Sequence, residues 1–226
     1  MTCSGCTSCA PPLPPNRADG SDARQERRLM ARNRAARPEA KPLRLFVAVD
    51  PPPDAVRAVD EALEPWRERF PRGRWVRPEN WHVTLKFLGR TWPRLVDSVH
   101  EACREAATGI RPFTLSLGSL GVFPRATRAR VLWVGLEDPE GSLAALAKAL
   151  DASLADDFPP EKRGFTAHLT VARFDPPADF SEASGELETF RVEVRPFRVS
   201  KLLLYQSHLS PRGARYEVLE AFPLGG

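Results

Sequence analysis

With 226 residues, 42% of them apolar and 27% charged, the chain is long enough for one large domain or two small lobes, and it folds without needing disulfides or a metal. Its formal charge of +4 resides in residues 1–41, which hold eight Lys/Arg against four Asp/Glu; the remainder is neutral, which excludes a basic domain that coats nucleic acid through phosphate neutralisation. No apolar run approaches the roughly 18 residues that cross a bilayer, and no secretion signal opens the chain, so a cytoplasmic protein with no membrane partner is expected.

Residues 1–41 read as a disordered tail. Cys3, Cys6 and Cys9 precede a proline cluster and an Arg/Ala-rich run, and three thiols are one short of a tetrahedral metal site. A folded domain is expected over 42–226. It opens on the apolar strand Leu43–Val49 and continues, after three prolines, into a helix capped by Asp54 and running to about Phe70. Arg74–Val76 is extended, Pro78–Asn80 is a turn, and a strand ending at Gly89 follows. A second helix spans about Pro93 to Ala107, with Leu95, Val99, Cys103 and Ala106 on one face. Strands at 113–122 and 130–136 precede a third helix over about Pro139 to Leu154. A strand through His168, an ill-defined connection over 175–188, extended chain over 189–205 and a last strand over 215–222 complete the domain.

Two of these strands carry the same text. Trp81-His82-Val83-Thr84-Leu85-Lys86-Phe87 is answered by Ala167-His168-Leu169-Thr170-Val171-Ala172-Arg173, so His-x-Thr-x recurs at a separation of 86 residues. That distance is too long for a turn or a metal knuckle and suits two half-units that each supply one His and one Thr. The expected fold is therefore α+β and bilobal, with two pseudo-twofold-related lobes of mixed or antiparallel sheet, outer helices and a central cleft.

Alternation along a strand puts His82 with Thr84, and His168 with Thr170, on one face, with the intervening apolar residues in the core. Two imidazoles astride a phosphodiester suit general acid and general base work, each worth about 10²–10⁴ in rate. The threonine hydroxyls suit the non-bridging oxygens. No Asp, Glu or Cys stands beside either histidine at ligand spacing, so no metal and no other cofactor is expected. Phe46 is a candidate stacking platform for a base. Lys86 shares the His82 face by alternation, and Arg130 and Arg173 are candidate phosphate partners. In a regular strand, Arg173 falls opposite His168 and reaches the cleft only if the strand ends or bulges there.

These motifs resemble those of the 2H phosphoesterases. The flanking text narrows the resemblance to the bacterial and archaeal RNA 2′,3′-cyclic phosphodiesterases, also called 2′-5′ RNA ligases. It is carried by residues 44–48, 80–89, 131–135, 168–173 and 204–207, with Gly213 and Tyr216. The resemblance implies hydrolysis of RNA 2′,3′-cyclic phosphate ends to 2′-phosphates without a metal, with reverse 2′-5′ ligation as an accompanying activity. It implies His82 as proton donor, His168 as proton acceptor, Thr84 and Thr170 as phosphate-binding hydroxyls, and RNA ends as the partner; nothing in the sequence suggests an obligate dimer, so a monomer is expected. The two motifs are chemically equivalent, so the residues alone leave donor and acceptor open. Two rival readings stand beside this one: a phosphodiesterase acting on small cyclic nucleotides, and a non-catalytic module that binds nucleotides or RNA ends.

Overall fold

A computed structural model describes residues 41–161, 164–210 and 213–225. The expected tail, with Cys3, Cys6 and Cys9, lies outside the described residues except for Lys41. Strand β1 (Leu43–Val49) runs through the middle of the fold and sends Leu45, Val47 and Val49 to one face, Phe46 and Ala48 to the other. Helices α1 (Pro53–Ala62) and α2 (Glu64–Arg69) follow where one helix was expected. The break at Leu63 has a local cause: Pro65 has no N–H for the i−4 carbonyl, and its ring crowds it. Nor does Asp54 cap α1. Pro52 holds the N-cap position and Asp54 sits inside the first turn, where its charge complements the helix dipole.

The motif strands are β3 (Val83–Thr91) and β6 (His168–Ala178), with the short β2 (Arg74–Trp75) paired to β6. Between them lie α3 (Val96–Thr108), β4 (Phe113–Phe123), β5 (Ala129–Glu137) and α4 (Ser142–Ser153). The last of these begins three residues later than Pro139. Gly141 takes a left-handed φ of 68°, and the Asp138 carboxylate accepts the Ser142 and Leu143 amides at 3.0 and 2.7 Å, closing the helix start. The ill-defined connection contains α5 (Ser184–Thr189). The extended region resolves into β7 (Phe197–Val199) and β8 (Lys201–Ser210), and β9 (Gly213–Pro223) closes the chain.

The strands form a nine-stranded sheet in the order β7-β4-β5-β6-β3-β1-β8-β9, with β2 joined to β6 off this path, and the pairs are antiparallel. Outward from the centre, β3-β1-β8-β9 on one side mirrors β6-β5-β4-β7 on the other. The halves join where β3 meets β6, through the single pair Val83 and Leu169. The expected α+β fold with two related halves is thus built on one continuous sheet. One face carries the helices and the large core, in which Leu63, Leu132, Leu146, Leu169 and Leu204 are fully buried. Each such leucine contributes about 1.5–3 kcal/mol of transfer free energy. The other face carries both motifs. No described helix is long and apolar enough to cross a membrane.

Candidate active site

His82, Thr84, His168 and Thr170 line one cleft of about 590 Å³, together with Arg173, Arg44, Phe87 and Tyr216. The antiparallel junction of β3 and β6 brings this about. With Val83 opposite Leu169, the two histidines and two threonines approach from opposite directions, as the pseudo-twofold demands.

Each imidazole is held in the same way. His82 Nδ1–H donates to the carbonyl of Asn80 at 2.8 Å, and His168 Nδ1–H to that of Thr166 at 2.7 Å. A carbonyl can only accept, so the proton of each neutral ring sits on Nδ1 and Nε2 keeps its lone pair. Neither Nε2 has a protein partner among the described residues. Asn80 is itself anchored, its side-chain amide donating to Ala214 O at 3.1 Å.

The surroundings of both rings disfavour charge. Burial, helped by the nearby Arg173 and His168, brings His82 down to about 4 against the raising effect of its bond to Asn80. Burial and then Arg173 lower His168 in the same direction. Both rings therefore favour the neutral form at pH 7.

Rings back both histidines. Phe46 lies 4.6 Å from His82 and stacks on Tyr205 at 5.0 Å, while Tyr216 meets His82 edge-on at 5.1 Å. The Tyr205 hydroxyl donates to Asp50 at 2.5 Å and fixes the outer ring. Phe123 and Trp133 stand 5.3 and 6.1 Å from His168. Trp133 lies across Gly121, where a Cβ would come within 2.2 Å of the indole.

Three sequence expectations need correction. Phe46 lines the cleft as expected but offers little free surface for stacking: it is 3% exposed, stacks on Tyr205 and lies against the tilted His82 ring. Lys86 is not on the cleft face. It is 1% exposed, ion-paired with Asp151 and donating to Pro159 O at 2.8 Å. Arg130 does not line the cleft and pairs with Asp175 at 3.5 Å on the surface.

One device explains both Lys86 and Arg173. Opposite β1, Val47 pairs with Lys86 and Ala48 with Thr84, so Leu85 is an extra residue; opposite β5, Leu132 pairs with Ala172 and Trp133 with Thr170, so Val171 is extra. A bulge directly after each motif threonine sends two successive residues to the core and reverses the alternation. Leu85 and Lys86 turn inward in one copy, Val171 and Ala172 in the other, and Phe87 and Arg173 turn into the cleft.

Residues 51–210 match the family model of the 2'-5' RNA ligase superfamily. The chain belongs to that superfamily. It is 34% identical over 186 residues to the RNA 2',3'-cyclic phosphodiesterase of Methanothermobacter thermautotrophicus, covering 80% of this chain and 99% of the relative. It is 34% identical over 157 residues to the protein of the same name from Aquifex aeolicus, covering 68% and 83%. Among solved structures, a Thermus thermophilus protein superposes with a TM-score of 0.66 at 30% identity, covering 81% of this chain and 99% of that one. E. coli LigT in its apo form gives 0.59 at 27% identity, covering 83% and 100%.

Within this superfamily member, several cleft residues escape a reading by strand periodicity. Phe87 is 59% exposed although it lies in an apolar run, and only the bulge aims it at the cleft. Arg44 and Tyr216 come from β1 and β9, outside either motif. Asn80 carries the one sequence signal that could have found it, its place two residues before a motif histidine. Among the described residues, no group of three or more His, Cys, Asp or Glu side chains is arranged to hold a metal ion.

Proposed function

We propose that this chain hydrolyses RNA 2′,3′-cyclic phosphate ends to 2′-phosphates by general acid–base catalysis between His82 and His168, with no metal. The observation that carries the reading is the pair of identically tethered imidazoles, each with a free Nε2, on one cleft with Thr84 and Thr170. The names of the relatives supply the substrate class, and the sequence expectation of a cytoplasmic monomer is kept as part of the proposal.

The roles of the two histidines are taken from the family resemblance, and one placement of the nucleoside accords with them. The leaving 3′ oxygen belongs to the ribose of the terminal nucleotide, so its proton donor stands on the nucleoside side. The aromatic wall of Tyr216 and Phe87, with Arg44 beside it, flanks His82. His82 accordingly gives its Nε2 proton to the 3′ oxygen as the P–O3′ bond breaks. His168 takes the proton of the water that attacks phosphorus from the opposite side. Thr84 and Thr170 hydroxyls and the Arg173 guanidinium hold the non-bridging oxygens.

The surroundings lower His82 strongly, which by itself would favour it as base. The substrate outweighs this, since a phosphodiester anion a few ångströms from either ring favours its charged form. The test is a short RNA with a 2′,3′-cyclic end, incubated with purified protein and chelator. A 2′-phosphate product, lost in both His82→Ala and His168→Ala, supports the reading. A 3′-phosphate product, or turnover that stops with chelator, would sink it.

A further inference from the structure

Beyond the phosphate site, β1 and β3 carry two arginines to which the hydrolytic step gives no task. Arg44 lines the cleft from β1, and Arg90 of β3 stands directly opposite it in the register. Phe46 pairs with Phe87 and Leu45 with Gly89, so Leu88 is a second extra residue on β3. This bulge restores the alternation that the one at Leu85 upset, and Arg90 returns to the face of His82 and Thr84. Both arginines are exposed, and among the described residues neither takes part in an ion pair. Like charges directly opposite on one face of an antiparallel pair repel. Solvent can separate two exposed guanidinium groups anywhere on a surface. What singles out this pair is its place at one end of the cleft that takes an anionic substrate.

The spacing fits a second phosphate. Arg44 is four residues from Ala48, the partner of Thr84, so the pair lies about 13 Å along the strand from that threonine. Less the length of an arginine side chain, this is the distance from a terminal phosphate to the internucleotide phosphate next upstream. The direction fits as well. On the proposed roles the nucleoside sits on the His82 side, and its 5′ oxygen continues the strand from that side. The way there is open, since Gly89 lines the cleft and a Cβ on it would meet nothing within 4 Å. Exposed apolar side chains flank it, Phe87 on β3 and Leu209 on β8. Apolar lips beside a pair of cations suit single-stranded RNA, whose bases take apolar surface while its backbone takes charge.

We propose that Arg44 and Arg90 together bind the internucleotide phosphate immediately upstream of the terminal nucleotide. The anion sits between the two guanidinium groups, offsets their repulsion and accepts their N–H groups. The enzyme thereby selects the end of an oligoribonucleotide over a free nucleoside 2′,3′-cyclic phosphate, which has a neutral 5′-hydroxyl at that place. This inference rests on the proposed hydrolytic function and narrows its substrate.

The experiment measures kcat/KM on three substrates: a nucleoside 2′,3′-cyclic phosphate, a dinucleotide with the same cyclic end, and that dinucleotide with an uncharged methylphosphonate as its internucleotide linkage. Wild type is expected to favour the charged dinucleotide at least about tenfold over the other two. Arg90→Gln is expected to lose about tenfold on the charged dinucleotide, with a shallower salt dependence, and to stay within about threefold on the other two. Arg90→Lys keeps the charge and is expected to stay within about threefold of wild type on all three. A wild type that treats the charged and methylphosphonate dinucleotides alike would overturn the site while leaving hydrolysis of cyclic ends standing. An Arg90→Gln variant that keeps the full preference, or loses equally on all three substrates, would also overturn it. A wild type inert on every cyclic end would overturn both the site and the hydrolytic function.

Discussion

Phe87 and Arg173 hold equivalent places in the two halves, each three residues beyond its motif threonine, and both turn into the cleft because a bulge precedes them. One half thus contributes an exposed ring and the other a cation. Arg173 is also the cation that presses both histidines toward their neutral forms.

Arg173→Ala is expected to reduce kcat/KM about 10–100-fold through the lost charge-assisted hydrogen bonds to the phosphate. The sign of the second effect is opposite in kind. Removing a positive charge makes protonation easier, so both imidazole pKa values rise and the acidic limb of the kcat/KM profile moves to higher pH. Arg173→Lys is expected to show a smaller shift of that limb. A pH–rate series on the three proteins checks this, and an unmoved limb would contradict the placement.

The lowered pKa of His82 is also a stability statement. With a folded value of about 4 against 6.5 in the unfolded chain, the neutral ring favours the fold above pH 6.5. That contribution, on the order of 3 kcal/mol, declines as pH falls from 6.5 through about 4. His168 adds to it in the same direction. His82→Gln is expected to flatten the loss of unfolding free energy between pH 7 and pH 4.5, measured by urea denaturation. A variant that parallels wild type would rule this out.

The buried Lys86 of β3 pairs with the partly exposed Asp151 of α4 and ties the two elements together. Asp151→Ala strands a buried ammonium with Pro159 O as its remaining partner and is expected to cost about 3–5 kcal/mol. Lys86→Met removes the buried charge instead and is expected to be the milder change, with cyclic-phosphate hydrolysis within a few-fold of wild type. Thermal unfolding and activity of the two variants decide the matter. A large loss of turnover in stably folded Lys86→Met would restore Lys86 to the substrate site.

Gly121 touches no substrate group, yet Trp133 lies flat across it and stands 6.1 Å from His168. Gly121→Val is expected to push the indole toward the cleft and lower kcat about tenfold or more while the fold survives, since a small displacement of His168 in its proposed role as base is costly. Tryptophan fluorescence and turnover measured together test it. Unchanged turnover with a changed fluorescence spectrum would show that Trp133 does not position His168.

What is legible in the residues alone is whatever depends on type and local period. The apolar runs of β1, β3 and β6 mark strands, the leucines of α4 mark a helix, and the repeat of His-x-Thr in two strands marks a duplicated site of acid–base character. Pro65 belongs to the same class, since a proline inside a helical period splits the first helix by a purely local rule. Phe46, Lys86, Arg130 and Arg173 are of another kind. Their directions depend on which strand lies next door and in which register. The bulges at Leu85 and Val171 exist only in the pairings with β1 and β5, whose residues are far away in sequence. Strand alternation extrapolates correctly from His82 to Thr84 and from His168 to Thr170, then fails two residues later, at Lys86 and Ala172. The chemistry of the site and its twofold plan are therefore properties of the residues in their order. Which side chains beyond the threonines face the cleft is a property of the assembled sheet, because a bulge belongs to two strands and cannot be read from one.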